Sequence, residues 1–226
     1  MKALVCVASE EYKPQQLALA RSSAQYLPTH EFIHIPLVVD PTESVYKTLA
    51  LRRIQACFDL FSKGYQEVIH AGADWIFLGE PYFPFANALF IPHVTSSFPD
   101  TQMMRAGVIN SDFQVWRNTP KSIQFLYSMG DAIRKVSANN IFEYEQTWLP
   151  FALSNLNAKL LGPEYGTCWY NLDEREVTSD TKLFHFSGNQ YAKGQKELSR
   201  HGKVKREFTP FEKQFFDSYR REVCGR

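Results

Sequence analysis

Short apolar runs alternate with helix-patterned stretches through the first half of the chain, and this alternation leaves few architectures open. Ala3–Ala8 reads ALVCVA, apolar throughout, as a strand buried on both faces does. Pro14 sits where the first turn of a helix tolerates it, and Leu17, Ala20, Ala24 and Leu27 then recur at helical spacing. Glu31–Val39 reads as a second strand, with Pro36 marking an edge or a bulge. Val45–Phe61 reads as a second helix, carrying Leu49, Ile54, Cys57, Phe58 and Phe61, with Gly64 as its stop signal. Gln66–Ile69 opens a third strand that His70–Leu78, HAGADWIFL, completes. Strand and helix in this order predict an α/β sandwich around a largely parallel sheet.

The second half mixes longer loops with helices. Glu80–Asp100, rich in Pro, Phe and Tyr, reads as a loop whose aromatic stretch Tyr82–Phe90 packs into the core or walls a ligand pocket. Gly107–Val115 reads as a strand, Lys121–Lys135 and Glu143–Leu156 as helices, the latter interrupted by Pro150. Thr181–Phe186 is a late strand and Phe211–Arg221 a basic, aromatic helix. Ligands of open α/β sheets bind beyond the carboxyl ends of the strands. Ser9 and Tyr12 follow the first strand, Asp74 lies in the small-residue break of the third, and His185 ends the late one.

Composition excludes several classes. With 226 residues, 44% hydrophobic and 15% aromatic, the chain fits one packed domain. A net charge of +1 gives no reason to invoke nucleic acid. No apolar run approaches the roughly 20 residues of a membrane helix, and the first residues lack a signal-peptide core. Cys6, Cys57, Cys168 and Cys224 are scattered, which suits free thiols in a cytoplasmic protein. Dinucleotide, Walker, zinc-protease and nucleophile-elbow motifs are all absent.

Four segments, in order from Leu4 to about Lys193, resemble the GT-A glycosyltransferases, in particular the glycogenin and lipopolysaccharide galactosyltransferase branch. VASEEY, Val7–Tyr12, is similar to the strand end that cradles the uridine, with Ala8, Ser9 and Tyr12 in the matching places. Gly72-Ala73-Asp74 is similar to the metal-gripping Asp-x-Asp, with its first acid replaced by glycine. INSDFQVWRNT, Ile109–Thr119, matches at Asn110 and Ser111, while Asp112 stands where the family has glycine. HFSG, His185–Gly188, is similar to His-Phe-x-Gly, whose histidine binds the metal; Lys193 is the nearest candidate for the lysine that meets the diphosphate. Glu145-Gln146 resembles an Asp-Gln pair near the reacting sugar.

The resemblance implies a GT-A, Rossmann-like nucleotide-diphospho-sugar transferase fold, with a mixed, mostly parallel sheet flanked by helices, in a single domain over 1–226 whose residues 1–100 form a nucleotide-binding half, 101–200 an acceptor half and 201–226 a C-terminal basic, aromatic helix. It implies transfer from a nucleotide-sugar donor, a UDP-sugar, to a glycan, glycolipid or glycoprotein acceptor, leaning towards retention. As the donor bond breaks, the sugar becomes oxocarbenium-like and charge builds on the diphosphate, which a divalent metal or cationic side chains must stabilise. Asp74 and His185 supply two metal ligands, a set that favours Mn²⁺ over Mg²⁺. With Gly72 in the first slot a third is missing, so weak affinity or none is expected. Lys47, Arg52, Arg53 and Lys193 are substitute cations, although Arg52 and Arg53 cannot both face one site. Glu145 reads as a general base or, with Gln146, as a polar wall on the sugar; Asp112 reads as a base or a sugar-hydroxyl ligand, or as a bulge aspartate. A catalytically silent nucleotide-sugar-binding module and a sugar nucleotidyltransferase-like enzyme are the alternatives. The C-terminal helix either closes on the domain or makes peripheral contact with an anionic membrane.

Overall fold

The computed structural model describes residues 1–92, 109–136, 145–168, 176–186 and 206–224. Strands β1 (Lys2–Ala8), β2 (Glu31–Pro36), β3 (Glu67–Ala71), β5 (Ala88–Pro92), β6 (Ile109–Arg117) and β7 (Ala158–Leu160) form the main sheet in the order β2-β1-β3-β6-β5-β7. A smaller sheet joins β4 (Trp75–Phe77), β9 (Leu183–His185) and β8 (Thr167–Cys168) in the order β4-β9-β8. In the main sheet β6 is antiparallel to both neighbours, β3 and β5, and the remaining pairings are parallel.

The helices are α1 (Lys13–Tyr26), α2 (Val45–Ser62), α3 (Pro120–Lys135), α4 (Glu145–Asn155) and α5 (Pro210–Cys224). Because successive strand residues point to opposite faces, β1 feeds two cores. Ala3, Val5 and Val7 pack with α2, α3 and α4, while Leu4, Cys6 and Ala8 pack with α1 and β4. This burial on both faces is why β1 carries an uninterrupted apolar run. Pro36 ends β2 at the sheet edge, where a missing N–H costs no ladder bond. Gly64 terminates α2 with φ of 87°, a conformation glycine adopts without a Cβ clash. Cys6 and Cys57 are buried free thiols; the side chains of Cys168 and Cys224 fall outside the description.

Three expectations are corrected. HAGADWIFL is not one strand: β3 stops at Ala71, the Trp75 N–H donates to the Gly72 carbonyl at 3.2 Å to close a turn, and Trp75–Phe77 joins the second sheet. The Pro- and Phe-rich loop contains β5, a buried strand of the main sheet. Its ALFIP core is short and flanked by turn residues, so periodicity alone does not separate it from loop. In α1 the predicted stripe is buried only at Leu27, just past the last helical residue. Leu17 is 51% exposed, whereas Ala18, Leu19, Ser22 and Ser23 face inward. Small residues admit β4 closely there, with Ser22 Oγ accepting the Phe77 N–H at 3.2 Å.

Helix α5 docks on the domain. Phe216, Tyr219 and Val223 are buried against Ile76, Val177, Phe184 and Phe186, while Phe211 stays exposed. Its start is a capping box: the Glu212 N–H donates to Thr209 Oγ1 at 3.2 Å and the Thr209 N–H to Glu212 Oε2 at 2.9 Å. Glu212, fully buried, also accepts from the Val177 N–H at 2.8 Å and from Arg206 at 2.7 Å, tying the helix to two neighbouring segments. Among the described residues, no helix is long and apolar enough to cross a membrane.

Candidate active site

Strands β1 and β3 run parallel with Val5 opposite His70, so both end at one edge of the sheet. The Gly72–Asp74 turn lies there, and Tyr12, just past β1, packs on the same apolar cluster as Ala8, Ala73 and Trp75. The second sheet brings in the histidine. Trp75 pairs with His185, their rings stack with centroids 4.3 Å and planes 5° apart, and the Phe186 N–H donates to the Asp74 carbonyl at 2.9 Å.

The third contributor comes from β6. Its pairing with β5 jumps from Phe90–Gln114 to Ile91–Asn110, so residues 111–113 bulge out of that ladder. Bulges re-aim side chains, and their unpaired backbone groups need other partners. Here the Ser111 carbonyl accepts from Arg53 Nη1 at 3.0 Å and Gln114 Nε2 at 2.7 Å, and Asn110 Oδ1 accepts the Asp112 N–H at 2.8 Å. The result is a convergence of Asp74, Asp112 and His185, whose ligand atoms all lie within 4.8 Å of one another. His185 Nε2 is 3.3 Å from Asp74 Oδ2 and 3.9 Å from Asp112 Oδ2.

These residues fit a divalent cation. His185 is almost fully buried, and its Nε2 faces the two carboxylates, with no well-aligned hydrogen bond among the described residues. Carboxylate oxygens and an imidazole nitrogen at this spacing match the ligand types of Mn²⁺ or Mg²⁺. Burial by itself pulls the His185 pKa down, but Asp74, and further off Asp112, outweigh it and hold it above the ordinary value. The expectation of a missing third ligand is thereby corrected: Asp112 stands beside Asp74 where Gly72 has no side chain to offer.

Behind the cluster lies a buried cation. Arg53 donates through Nη2 to Asp112 Oδ1 at 2.9 Å and through Nη1 to Glu145 Oε2 at 3.0 Å. Of the two adjacent arginines it is Arg53 that faces the site; Arg52 is one helical step round and exposed. Lys47 is spent on the carbonyls of Arg134 and Val136, each at 3.0 Å, at the end of α3. Burial pushes the Glu145 carboxyl up, and Arg53 pulls it back part of the way. Glu145 Oε1 and Gln146 Nε2 are buried without hydrogen-bond partners among the described residues.

Asn110 bridges the cluster, its Nδ2 standing 3.5 Å from His185 Nδ1. Ser9 caps a 3-10 turn (Glu10–Tyr12), and its carbonyl accepts from the Tyr12 N–H at 3.0 Å. Ala8 is buried, and its carbonyl accepts from the Leu37 N–H at 3.0 Å. Gly188 and Lys193 lie outside the described residues. In the aromatic stretch, Phe83 packs on Phe113 and Tyr165, while Tyr82 and Phe85 are exposed. Cys57 Sγ lies 3.1 Å from His70 Nε2, but burial raises the thiol well above its usual range and lowers the imidazole to about 3. Both are neutral, so the pair is a core contact and not an activated nucleophile.

No protein-family model matches the chain, and no curated protein sequence does either. Solved structures do match. A glycosyltransferase involved in the glycosylation of the major capsid of PBCV-1 superposes with a TM-score of 0.59 at 12% identity, over 83% of this chain and 94% of that one. The galactosyltransferase LgtC, in complex with donor and acceptor sugar analogues, superposes with a TM-score of 0.50 at 10% identity, over 83% and 87%. The chain has the GT-A glycosyltransferase fold. Within this GT-A chain, the Asp74–Asp112–His185 cluster occupies the strand-end edge where open α/β sheets bind ligands.

Proposed function

We propose that this protein is a glycosyltransferase moving a sugar from a nucleotide-diphosphate donor, a UDP-sugar, to a glycan, glycolipid or glycoprotein acceptor. The convergence of Asp74, Asp112 and His185 at the strand-end edge of a GT-A fold carries the reading. These three would hold Mn²⁺ in preference to Mg²⁺, and the bound metal supplies charge neutralisation to the departing diphosphate. Tyr12 stacks on the base beside Ala8 and Ser9. Asn110 steadies His185, and Gly188 and Lys193 meet the diphosphate. Residues 1–100 thus carry the nucleotide side and 101–200 the acceptor side.

Glu145 Oε1 and Gln146 Nε2 take hydroxyls of the transferred sugar, which provides the partners these buried atoms lack. Glu145 is buried and holds Arg53 through its other oxygen, which favours this wall role over that of a base for the acceptor and so favours retention. Buried thiols at Cys6 and Cys57 suit a reducing cytoplasm. With Phe216 and Tyr219 turned inward, any membrane contact of α5 runs through Phe211 and the neighbouring basic residues. A silent nucleotide-sugar-binding module is the second reading, favoured by Arg53, which already neutralises Asp112 and Glu145.

Titration of UDP- and GDP-sugars with and without Mn²⁺, with free nucleotide assayed in the same samples, tests the proposal. Metal-dependent binding with nucleotide release is expected. Binding without release supports the silent module, and no binding of any nucleotide sugar removes both readings.

A further inference from the structure

Gly72 and Asp112 face each other across two antiparallel strands. Ala71 pairs with Phe113, which sets residue 72 opposite residue 112, and the Gly72 N–H donates to the Asp112 carbonyl at 2.9 Å. A Cβ built on Gly72 would stand 3.7 Å from the Asp112 Cβ and 2.9 Å from Asp74 Oδ1. Directly opposed residues ordinarily keep their Cβ atoms about 4.5–5.5 Å apart. Backbone conformation does not demand glycine there, because among the described glycines Gly64 alone has a positive φ. A side chain at 72 would meet the flexible end of Asp74 and lie in ordinary contact with the Trp75 ring, 3.4 Å away, and with the Asp112 Cβ.

We propose that Gly72 and Asp112 form a cross-strand exchange pair, in which β6 delivers, from the position opposite a glycine, the carboxylate that completes a divalent-cation site with Asp74 and His185. The inference rests on the metal-binding part of the function proposed above. Asp112 is held for this task. Arg53 occupies its Oδ1 at 2.9 Å, which turns Oδ2 toward His185 Nε2, itself buried and without a well-aligned hydrogen bond among the described residues. The Asp112 side chain is 40% exposed, against 18% for Asp74 and 4% for His185, so the cluster opens to solvent on the Asp112 side and a cation can enter there.

The relation is reciprocal. An acid at 72 facing a glycine at 112 would project from nearly the same place into the same cluster, once the flexible end of Asp74 turns aside. The test is Mn²⁺ binding, followed by electron paramagnetic resonance and calorimetry without any sugar nucleotide, on wild type, D112N and the double variant G72D/D112G. D112N keeps an oxygen for Arg53 and is expected to fold as wild type by circular dichroism while losing at least about tenfold in Mn²⁺ affinity. The double variant is expected to return to within about threefold of wild type.

Wild-type Mn²⁺ affinity in D112N overturns the proposal, as does a double variant that binds no better than D112N or fails to fold. Nucleotide release assayed alongside separates this outcome from that of the transferase reading. Turnover in wild type with unchanged Mn²⁺ affinity in D112N sinks the exchange alone. Mn²⁺ held through Asp112 with no nucleotide sugar bound sinks the transferase reading alone.

Discussion

Arg53 and Glu145 form a buried ion pair across the α2–α4 boundary, Nη1 to Oε2 at 3.0 Å, with both side chains at most 5% exposed. Removing one partner of such a pair strands the other charge in a low-dielectric core, at a cost of about 3–5 kcal/mol, whereas replacing both with apolar groups is often neutral. Arg53→Met should therefore destabilise the protein by about 3–5 kcal/mol in urea unfolding, and Arg53→Met with Glu145→Met should recover much of the loss. The recovery will be partial, since Arg53 also serves Asp112 and the Ser111 carbonyl. Additive losses in the double-mutant cycle would contradict the pairing.

The proposed function gives Asp74 a role in the chemistry more than in the fold. It lies in the turn after β3, partly open to solvent, 3.3 Å from His185 Nε2. Asp74→Ala should abolish nucleotide release from the donor sugar while changing the unfolding midpoint by less than about 1 kcal/mol of stability. Wild-type release in this variant would show that the carboxylate is only structural.

Acid should weaken the protein through Glu67. This buried carboxylate accepts from Arg117 Nε at 2.7 Å and lies 3.0 Å from His30 Nε2 and 3.3 Å from Lys2 Nζ. Burial acts to raise its pKa, but His30, Arg117 and Lys2 together hold it down to about 2. A carboxylate lowered on folding stabilises the native state above its unfolded pKa of about 4.5, and the contribution fades as pH falls from there toward 2. At neutral pH it is on the order of 3 kcal/mol. Glu67→Gln should lose this increment at pH 7, with its stability curve meeting that of wild type near pH 2. Parallel curves across that window would rule the linkage out.

The C-terminal helix should depend on Glu212, which caps its own first turn and accepts from Val177 and Arg206. Glu212→Ala should cost more than Thr209→Ala, whose loss as a helix cap is about 1 kcal/mol. Hydrogen exchange should show both variants opening α5 ahead of the main sheet. Unchanged protection of α5 in Glu212→Ala would show the docking to be apolar alone.

The resemblance to GT-A enzymes and the local signals pointed to much of the outline. The uniform apolar run of β1, the edge proline at Pro36, the stop at Gly64 and the positions of Asp74 and His185 at strand ends all follow from properties of neighbouring residues. The division of HAGADWIFL between two sheets did not, because a strand that changes partner after a turn keeps the same apolar composition on both sides. The inward face of α1 was hidden for a similar reason: Ser22 and Ser23 count as polar in a periodic pattern, yet their hydroxyls are satisfied by the Leu19 and Ala20 carbonyls of their own helix.

The sequence by itself determined which residue types were available to bind a cation and that strand ends would present them. Only the tertiary structure decided that Asp112 joins Asp74 and His185, and that Arg53 rather than Arg52 stands behind them. Local pattern sets which way a side chain alternates along its own strand or helix. Which strand lies opposite, in what register, and where a bulge shifts that register are set by packing between distant segments, and those contacts turned a glycine on one strand and an aspartate on the next into neighbours.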